Sequence, residues 1–263
     1  VPVARGTRNA LALREYAARQ EVPVARGAAR PCRGRFGYSY DFHGRSGLSR
    51  RLPEPRTRPV SAGATDFLAA KLHESPDQIT LVALGSLTNL AGLMSRHPAA
   101  LKKAASLVVM GGAVNGAGNV THYAEFNFHS DPVAAQAVLS SGTPLTLVDL
   151  QAGRRTSFTR KAAQGLQARG RIGRLAAQLL SNWFRREPRR QRFELYDPLT
   201  LAVALQPGLV STRPMRLAVE TVDSVRTGEV RVMPGAGPVS VVESVDESRF
   251  WGMLGELLHW SYR

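Results

Sequence analysis

Residues 107–132, Leu-Val-Val-Met-Gly-Gly-Ala-Val-Asn-Gly-Ala-Gly-Asn-Val-Thr-His-Tyr-Ala-Glu-Phe-Asn-Phe-His-Ser-Asp-Pro, decide the fold. An apolar run from Leu107 to Met110 stops at Gly111-Gly112. A loop then carries Asn119, Glu125 and Asn127, and a helix opens at Asp131-Pro132. A short β-branched run ended by glycines reads as a buried strand that delivers a loop at its C-terminal end. In open parallel α/β sheets, ligands bind outside those ends. Asn, Glu and Asn within nine residues can donate to and accept from hydroxyls, which suits a sugar. A polar turn with an Asx cap accounts for the same residues, and the local sequence leaves both readings open.

On either side of this stretch the chain alternates. Upstream, residues 65–74 read as an amphipathic helix, 79–84 as a buried strand and 90–96 as a helix ending before Pro98. Downstream, 132–139 read as a helix with Pro at its first turn, and 145–150 as a further strand. This β-loop-α series predicts an open, mostly parallel α/β sheet flanked by helices. Helices follow at 160–167, 172–186 and 196–205. The last third then changes period, with strands at 215–222, 229–232 and 239–245 and a closing amphipathic helix at 246–260. No linker interrupts the series, so residues 1–263 read as one domain.

The N-terminal part is less regular. Val-Pro-Val-Ala-Arg-Gly at 1–6 recurs identically at 22–27. The first copy precedes a helix at 7–17, and the second reads as a short strand at 22–25. One repeated hexapeptide is either chance in a Val/Ala/Arg/Gly-rich chain or the trace of a rearranged N-terminus. Residues 31–60 form a long loop rich in Pro, Gly and Arg and include Asp41-Phe42-His43-Gly44. Long loops within compact domains are often functional.

Composition bounds the rest. With 263 residues, 43% of them hydrophobic, the chain can bury a sizeable core. No run approaches the ~18 apolar residues of a membrane span, and no N-terminal segment has signal-peptide form, so a cytoplasmic protein with no membrane partner is expected. The lone Cys32 excludes an intramolecular disulfide and a multi-Cys metal site, and it reads as a bystander thiol rather than a nucleophile. Of the net +15, residues 151–192 carry +11, with twelve Arg/Lys against Glu187. Such a patch can attract nucleic acid. However, 31 of the 35 basic residues are Arg, a compositional bias that favours a solvated helix face, and nucleic acid is not the expected partner.

Eight segments in order resemble the inosine–uridine-type nucleoside hydrolases. They are Thr7-Arg8-Asn9-Ala10, 22–28, His43-Gly44 with Gly47-Leu48, 82–90, Val109-Met110-Gly111-Gly112, Gly118-Asn119-Val120-Thr121, Ala124-Glu125-Phe126-Asn127 and Asp197-Pro198-Leu199. The resemblance implies hydrolysis of the N-glycosidic bond of ribonucleosides to ribose and free base. In that chemistry a Ca²⁺-held water captures an oxocarbenium-like ribosyl centre. It implies that Asn119 and Glu125 bind the 5′-hydroxyl side of ribose and Asn127 the 2′-hydroxyl side, with Met110 under the sugar. It also implies that Asp197 is both a Ca²⁺ ligand and a ribose acceptor, that Thr88 offers Ca²⁺ its carbonyl, and that His43 lies on the base side. A homodimer or homotetramer is implied as well.

Two features depart from that pattern. Members of the family open with a strand ending in Asp-x-Asp-x-x-x-Asp-Asp, which supplies most Ca²⁺ carboxylates and the general base. Here the similarity starts at Thr7, and residues 1–40 contain no Asp. The family's N-terminal strands are therefore expected to be absent, leaving a bare strand edge, exposed apolar surface and an incomplete metal site that binds Ca²⁺ weakly. Tyr196 stands where many purine-active relatives have a His that protonates the leaving base, and a phenol is a poorer proton donor at neutral pH. Three accounts follow, in order of preference: an N-terminally incomplete hydrolase, an inactive relative that binds ribosides or pairs with a complete subunit, and an Arg-rich nucleic-acid-binding protein.

Overall fold

The structure is a computed structural model and describes residues 1–261. In chain order its elements are α1 (Val3–Tyr16), α2 (Tyr40–His43), α3 (Ala64–Glu74), β1 (Thr80–Ala83), α4 (Thr88–Arg96), β2 (Ser106–Met110), α5 (Phe126–Ser130), α6 (Pro132–Leu139) and β3 (Leu145–Val148). Then come α7 (Leu150–Gly153), β4 (Ser157–Thr159), α8 (Arg160–Gln164), β5 (Gln167–Ala168), α9 (Arg171–Arg186), β6 (Arg192–Glu194) and α10 (Tyr196–Leu205). The chain ends with β7 (Val210–Val219), β8 (Val230–Met233), β9 (Val239–Val245), α11 (Glu247–Leu258) and β10 (Trp260–Ser261).

A six-stranded sheet in the order β1-β2-β3-β9-β7-β8 organises these elements. β1, β2, β3 and β9 run parallel, in registers such as Val82–Val108 and Val109–Leu147. β7 and β8 add antiparallel pairs at the far side. The open, mostly parallel sheet flanked by helices is therefore observed. The continuous apolar run of β2 has a physical reason, because successive side chains enter different cores. Leu107 and Val109 pack with Leu72, Leu93, Val138 and Leu147, whereas Val108 packs with Trp183, Leu199 and Phe250.

Several boundaries differ from the sequence reading. Residues 22–25 are not a strand; Val24 accepts from the Val60 amide, and one parallel bridge, Arg26 to Gly63, follows them. The first copy of the repeated hexapeptide lies largely inside α1, which begins at Val3, and the second is extended. Identical residues take different states because the helix-forming run Asn9-Ala10-Leu11-Ala12-Leu13 follows only the first copy. Residues 145–150 divide into β3 and the start of α7, since the Asp149 carboxylate accepts from the Ala152 amide and caps a new helix. Residues 160–167 stop being helical at Gln164, where Gly165 ends the turn. Within the long loop 31–60, α2 forms one short turn.

β1 has no strand on its outer side among the described residues. Beside it, Leu84, Leu201, Leu205 and Leu257 are exposed along a groove of about 390 Å³ between α10 and α11. Among the described residues, no helix is long and apolar enough to cross a membrane.

Candidate functional site

A cavity of about 560 Å³ opens at the C-terminal ends of β1 and β2, within the range of small-molecule sites. Its floor is Met110, the last residue of β2, which packs with Leu150 and Tyr196. The turn after β2 requires glycines. A Cβ on Gly111 would meet the buried Phe128 ring at 2.4 Å, and Gly112 takes φ +75°. That turn aims the Gly112 amide at Glu125, whose Oε2 accepts at 3.0 Å.

Glu125 is 1% exposed and caps α5, a helix the sequence reading placed within the loop. Its Oε1 accepts from the Asn127 amide at 2.7 Å, and its Oε2 also accepts from the Phe128 amide at 3.0 Å. Burial pushes this carboxyl up to about 7, against the pull of the three N–H donors, and the charge of nearby Asp197 adds to the rise. A carboxylate offers about four acceptor positions, so three donors leave about one for a ligand.

Each asparagine keeps a different hand for the cavity. The Asn119 Oδ1 accepts from the Phe126 amide at 2.9 Å, which directs its NH₂ elsewhere. The Asn127 Nδ2 donates to the Met110 carbonyl at 3.3 Å and approaches the Met110 sulfur at 3.2 Å, leaving Oδ1 to accept. Asp197, the second residue of α10, is exposed to the cavity, while the protein around it pushes its carboxyl up to about 6. The Tyr196 ring packs against Gly153, where a Cβ would come within 1.9 Å of it. Burial pushes its phenol up to about 12 despite the hydrogen-bonded Arg154.

The opposite end of the cavity is aromatic. Phe42 and His43 of α2 face Phe193 of β6, and the Phe42 and Phe193 rings stack at 5.9 Å and 22°. Trp183 of α9 backs both, at 5.4 Å from Phe42 and 4.7 Å from Phe193. Burial lowers the pKa of His43, and the chain's amino terminus and Arg186 add to that shift. Met110, Asn119, Glu125, Asn127, Asp197, Tyr196 and His43 thus all line one cavity, although they span more than 150 residues of chain.

Thr88 is not brought there. It is 8% exposed, at the start of α4, and its Oγ1 donates to the Asp131 Oδ2 at 2.6 Å. The same Asp131 oxygen accepts from the Cys32 amide, and Oδ1 accepts from the Ala134 amide, so Thr88 belongs to a buried joint between α4 and α6. The β1 residue that reaches the cavity is Leu84, immediately after the strand. Sequence reasoning also missed Phe42, Phe193 and Tyr38. Phe42 lay inside the quoted Asp41–Gly44 stretch, but nothing local marks which aromatic partners it from 151 residues away.

Comparisons with known proteins give the family and the fold. Residues 1–252 match the family model described as inosine-uridine preferring nucleoside hydrolase. A pyrimidine-specific ribonucleoside hydrolase, RihA of Citrobacter koseri, is 34% identical over 95% of this chain and 84% of its own length. Among solved structures, a plant nucleoside hydrolase superposes with a TM-score of 0.90 at 29% identity, covering 98% of this chain and 87% of that one. A purine-preferring ribonucleoside hydrolase from Gardnerella vaginalis gives 0.87 at 26% identity, over 96% and 84% of the two chains.

Proposed function

This chain belongs to the inosine-uridine preferring nucleoside hydrolase family, and we propose that its cavity takes a ribonucleoside for hydrolysis of the N-glycosidic bond. One observation carries the reading: a polar end able to hold a polyol and an aromatic end able to hold a flat base share one cavity. At the polar end the Asn119 NH₂ donates, while the Asn127 Oδ1, the remaining acceptor position of Glu125 and the Asp197 carboxylate accept. That mixture matches ribose hydroxyls, each of which donates and accepts. At the other end a base stacks on Phe42 and His43, and Phe193 closes the wall. Tyr196 stands between the two ends and donates its proton as a hydrogen bond to the base. With its phenol held up to about 12, it does so as a neutral group throughout the physiological range. The kinship with a pyrimidine-specific relative supports pyrimidine ribonucleosides as the substrates. The lone, exposed Cys32 is compatible with a cytoplasmic setting.

The calcium that the resemblance implies does not fit the residues present. Ca²⁺ takes about 6–8 oxygen ligands. Asp41, Glu187, Glu194 and Asp197 line this cavity with carboxylates that no side chain or amide among the described residues engages, but they do not converge on one point, and most of Glu125 is committed to backbone amides. Among the described residues, no group of three or more His, Cys, Asp or Glu is placed to hold a metal ion. No step of the proposal is therefore routed through a metal. This shortfall favours a second reading, in which the 263-residue chain binds ribosides without turning them over.

The experiment measures uridine binding by the purified chain together with ribose release, each with and without added Ca²⁺. Saturable binding with ribose release supports the hydrolase, and saturable binding without release supports the second reading. No uridine binding at millimolar concentration would remove both.

A further inference from the structure

The base end of the cavity is held in place by a residue outside it. Arg160 opens α8, and its backbone amide donates to the Gln191 carbonyl at 2.9 Å. Its guanidinium lies over the buried Phe184 ring, 5.0 Å from the centroid. From there Nη1 donates to the Phe184 carbonyl at 3.0 Å, and Nη2 to the carbonyls of Glu187 at 2.7 Å, Pro188 at 3.1 Å and Arg190 at 2.7 Å. Nε reaches the Arg190 carbonyl as well, at 3.2 Å.

Phe184 supplies one of the last carbonyls of α9, groups a helix end leaves without partners of its own, and Glu187, Pro188 and Arg190 supply those of the turn that follows. One planar fork thus satisfies a whole turn. Lysine could not do the same, because its donors radiate from a single atom. The turn has a further consequence, since it carries Glu187 and Arg190 to the cavity and leads directly into Phe193. At the same end of α9, Arg186 donates to the Phe42 carbonyl and so ties down the facing wall. The ribose-side residues Asn119, Glu125 and Asn127 sit on the loop after β2 and α5 and share no hydrogen bond with this assembly.

We propose that Arg160 is a positioning residue for nucleobase recognition: by stapling residues 184–191, it holds the base-side wall in its binding geometry while leaving the ribose end untouched. This rests on the ribonucleoside reading above. Part of the Arg-rich 151–192 segment thereby acquires a role in the site that its composition alone did not show.

The test compares wild type, Arg160→Ala and Arg160→Lys for binding of uridine and of free ribose, each followed by NMR line broadening. Hydrogen exchange of the Arg190 amide, which donates to the Glu187 carbonyl, reports the turn itself. Expected are a loss of uridine affinity of about tenfold in Arg160→Ala, ribose affinity within about twofold of wild type, and faster exchange at Arg190. Arg160→Lys should recover only part of the loss. Should Arg160→Ala fail to fold, Arg160→Lys carries the test with a smaller but equally uridine-selective loss. Equal weakening of uridine and ribose, or of neither, overturns the inference while the ribonucleoside reading stands. A wild type that binds no uridine overturns both.

Discussion

Glu125 should make this protein less stable as pH rises from acid to neutral, opposite to the usual behaviour of a carboxylate. The group is 1% exposed, and its folded-state pKa is raised from 4.5 to about 7, chiefly by burial. An acid raised in this way binds its proton more tightly when folded. Its contribution is fully present below about pH 4.5 and is lost as pH climbs through about 7. A rise of that size corresponds to about 3 kcal/mol. Carboxylates with lowered values, such as Glu15 and Asp66, push the total the other way, so the effect must be isolated by difference. Glu125→Gln supplies the difference, because an amide does not titrate. It leaves at least one of the three backbone donors facing an NH₂, a roughly constant cost of about 1–3 kcal/mol. Urea unfolding of both proteins at pH 4 and pH 8 then gives the stability gap at each pH. With a slope near 3 kcal/mol per molar, the midpoint gap should move by about 1 M in favour of the variant at pH 8. A gap that is the same at both pH values within about 1 kcal/mol would refute the picture of a carboxyl whose burial outweighs its three donors.

Three further outcomes follow from the same geometry. Gly111→Ala places a methyl 2.4 Å from the Phe128 ring and should cost about 1–3 kcal/mol in thermal or urea unfolding; an unchanged melting curve would show that the ring yields freely. Thr88→Val removes the 2.6 Å bond to Asp131 at a buried joint, so stability should fall by about 1–2 kcal/mol while uridine affinity stays put; a lost affinity with intact stability would place Thr88 in the site after all. Leu205→Glu combined with Leu257→Lys breaks the exposed apolar groove beside β1 and should reduce concentration-dependent association in light scattering; unchanged association would clear that surface of responsibility.

The sheet was legible because its signals are local. Apolar runs ending at Gly85 and Gly111, Pro at the first turn of α6 and Gly142 beyond its end are each read within a few residues. The repeated Val-Pro-Val-Ala-Arg-Gly marks the limit of such reading, since residues 22–25 carry strand-forming valines yet stay extended without a ladder. β-propensity describes a side chain that fits a pleated surface, and it yields a strand only where a neighbouring strand offers one. Residues 145–150 fail for the complementary reason. Leu150 is apolar enough to prolong β3, but the Asp149 side chain satisfies the first amides of α7 and turns the chain.

The site divides along the same line. Its polar end comes largely from one contiguous loop, so spacing and residue type were enough to bring Asn119, Glu125 and Asn127 together. The structure adds the assignment of hands: Glu125 spends three acceptor positions on the chain and about one on a ligand, which makes it as much a clamp for the loop as a contact. The base end joins α2, α9 and β6 across about 150 residues, and neither the pairing of Phe42 with Phe193 nor the guanidinium that fixes their turn leaves a mark in local pattern. Arg160 is one of twelve basic residues in a run that composition reads as a solvated face. What distinguishes it is that one guanidinium reaches four backbone carbonyls at a single helix end, and such carbonyls can be assigned only once that end is located in space. On the proposed ribonucleoside reading, the end that takes the part common to all ribonucleosides is thus encoded locally, and the end that discriminates among bases is encoded by tertiary packing. Substitutions that alter base preference are therefore expected on α2, α9 and the turn that Arg160 holds, and not on the loop after β2.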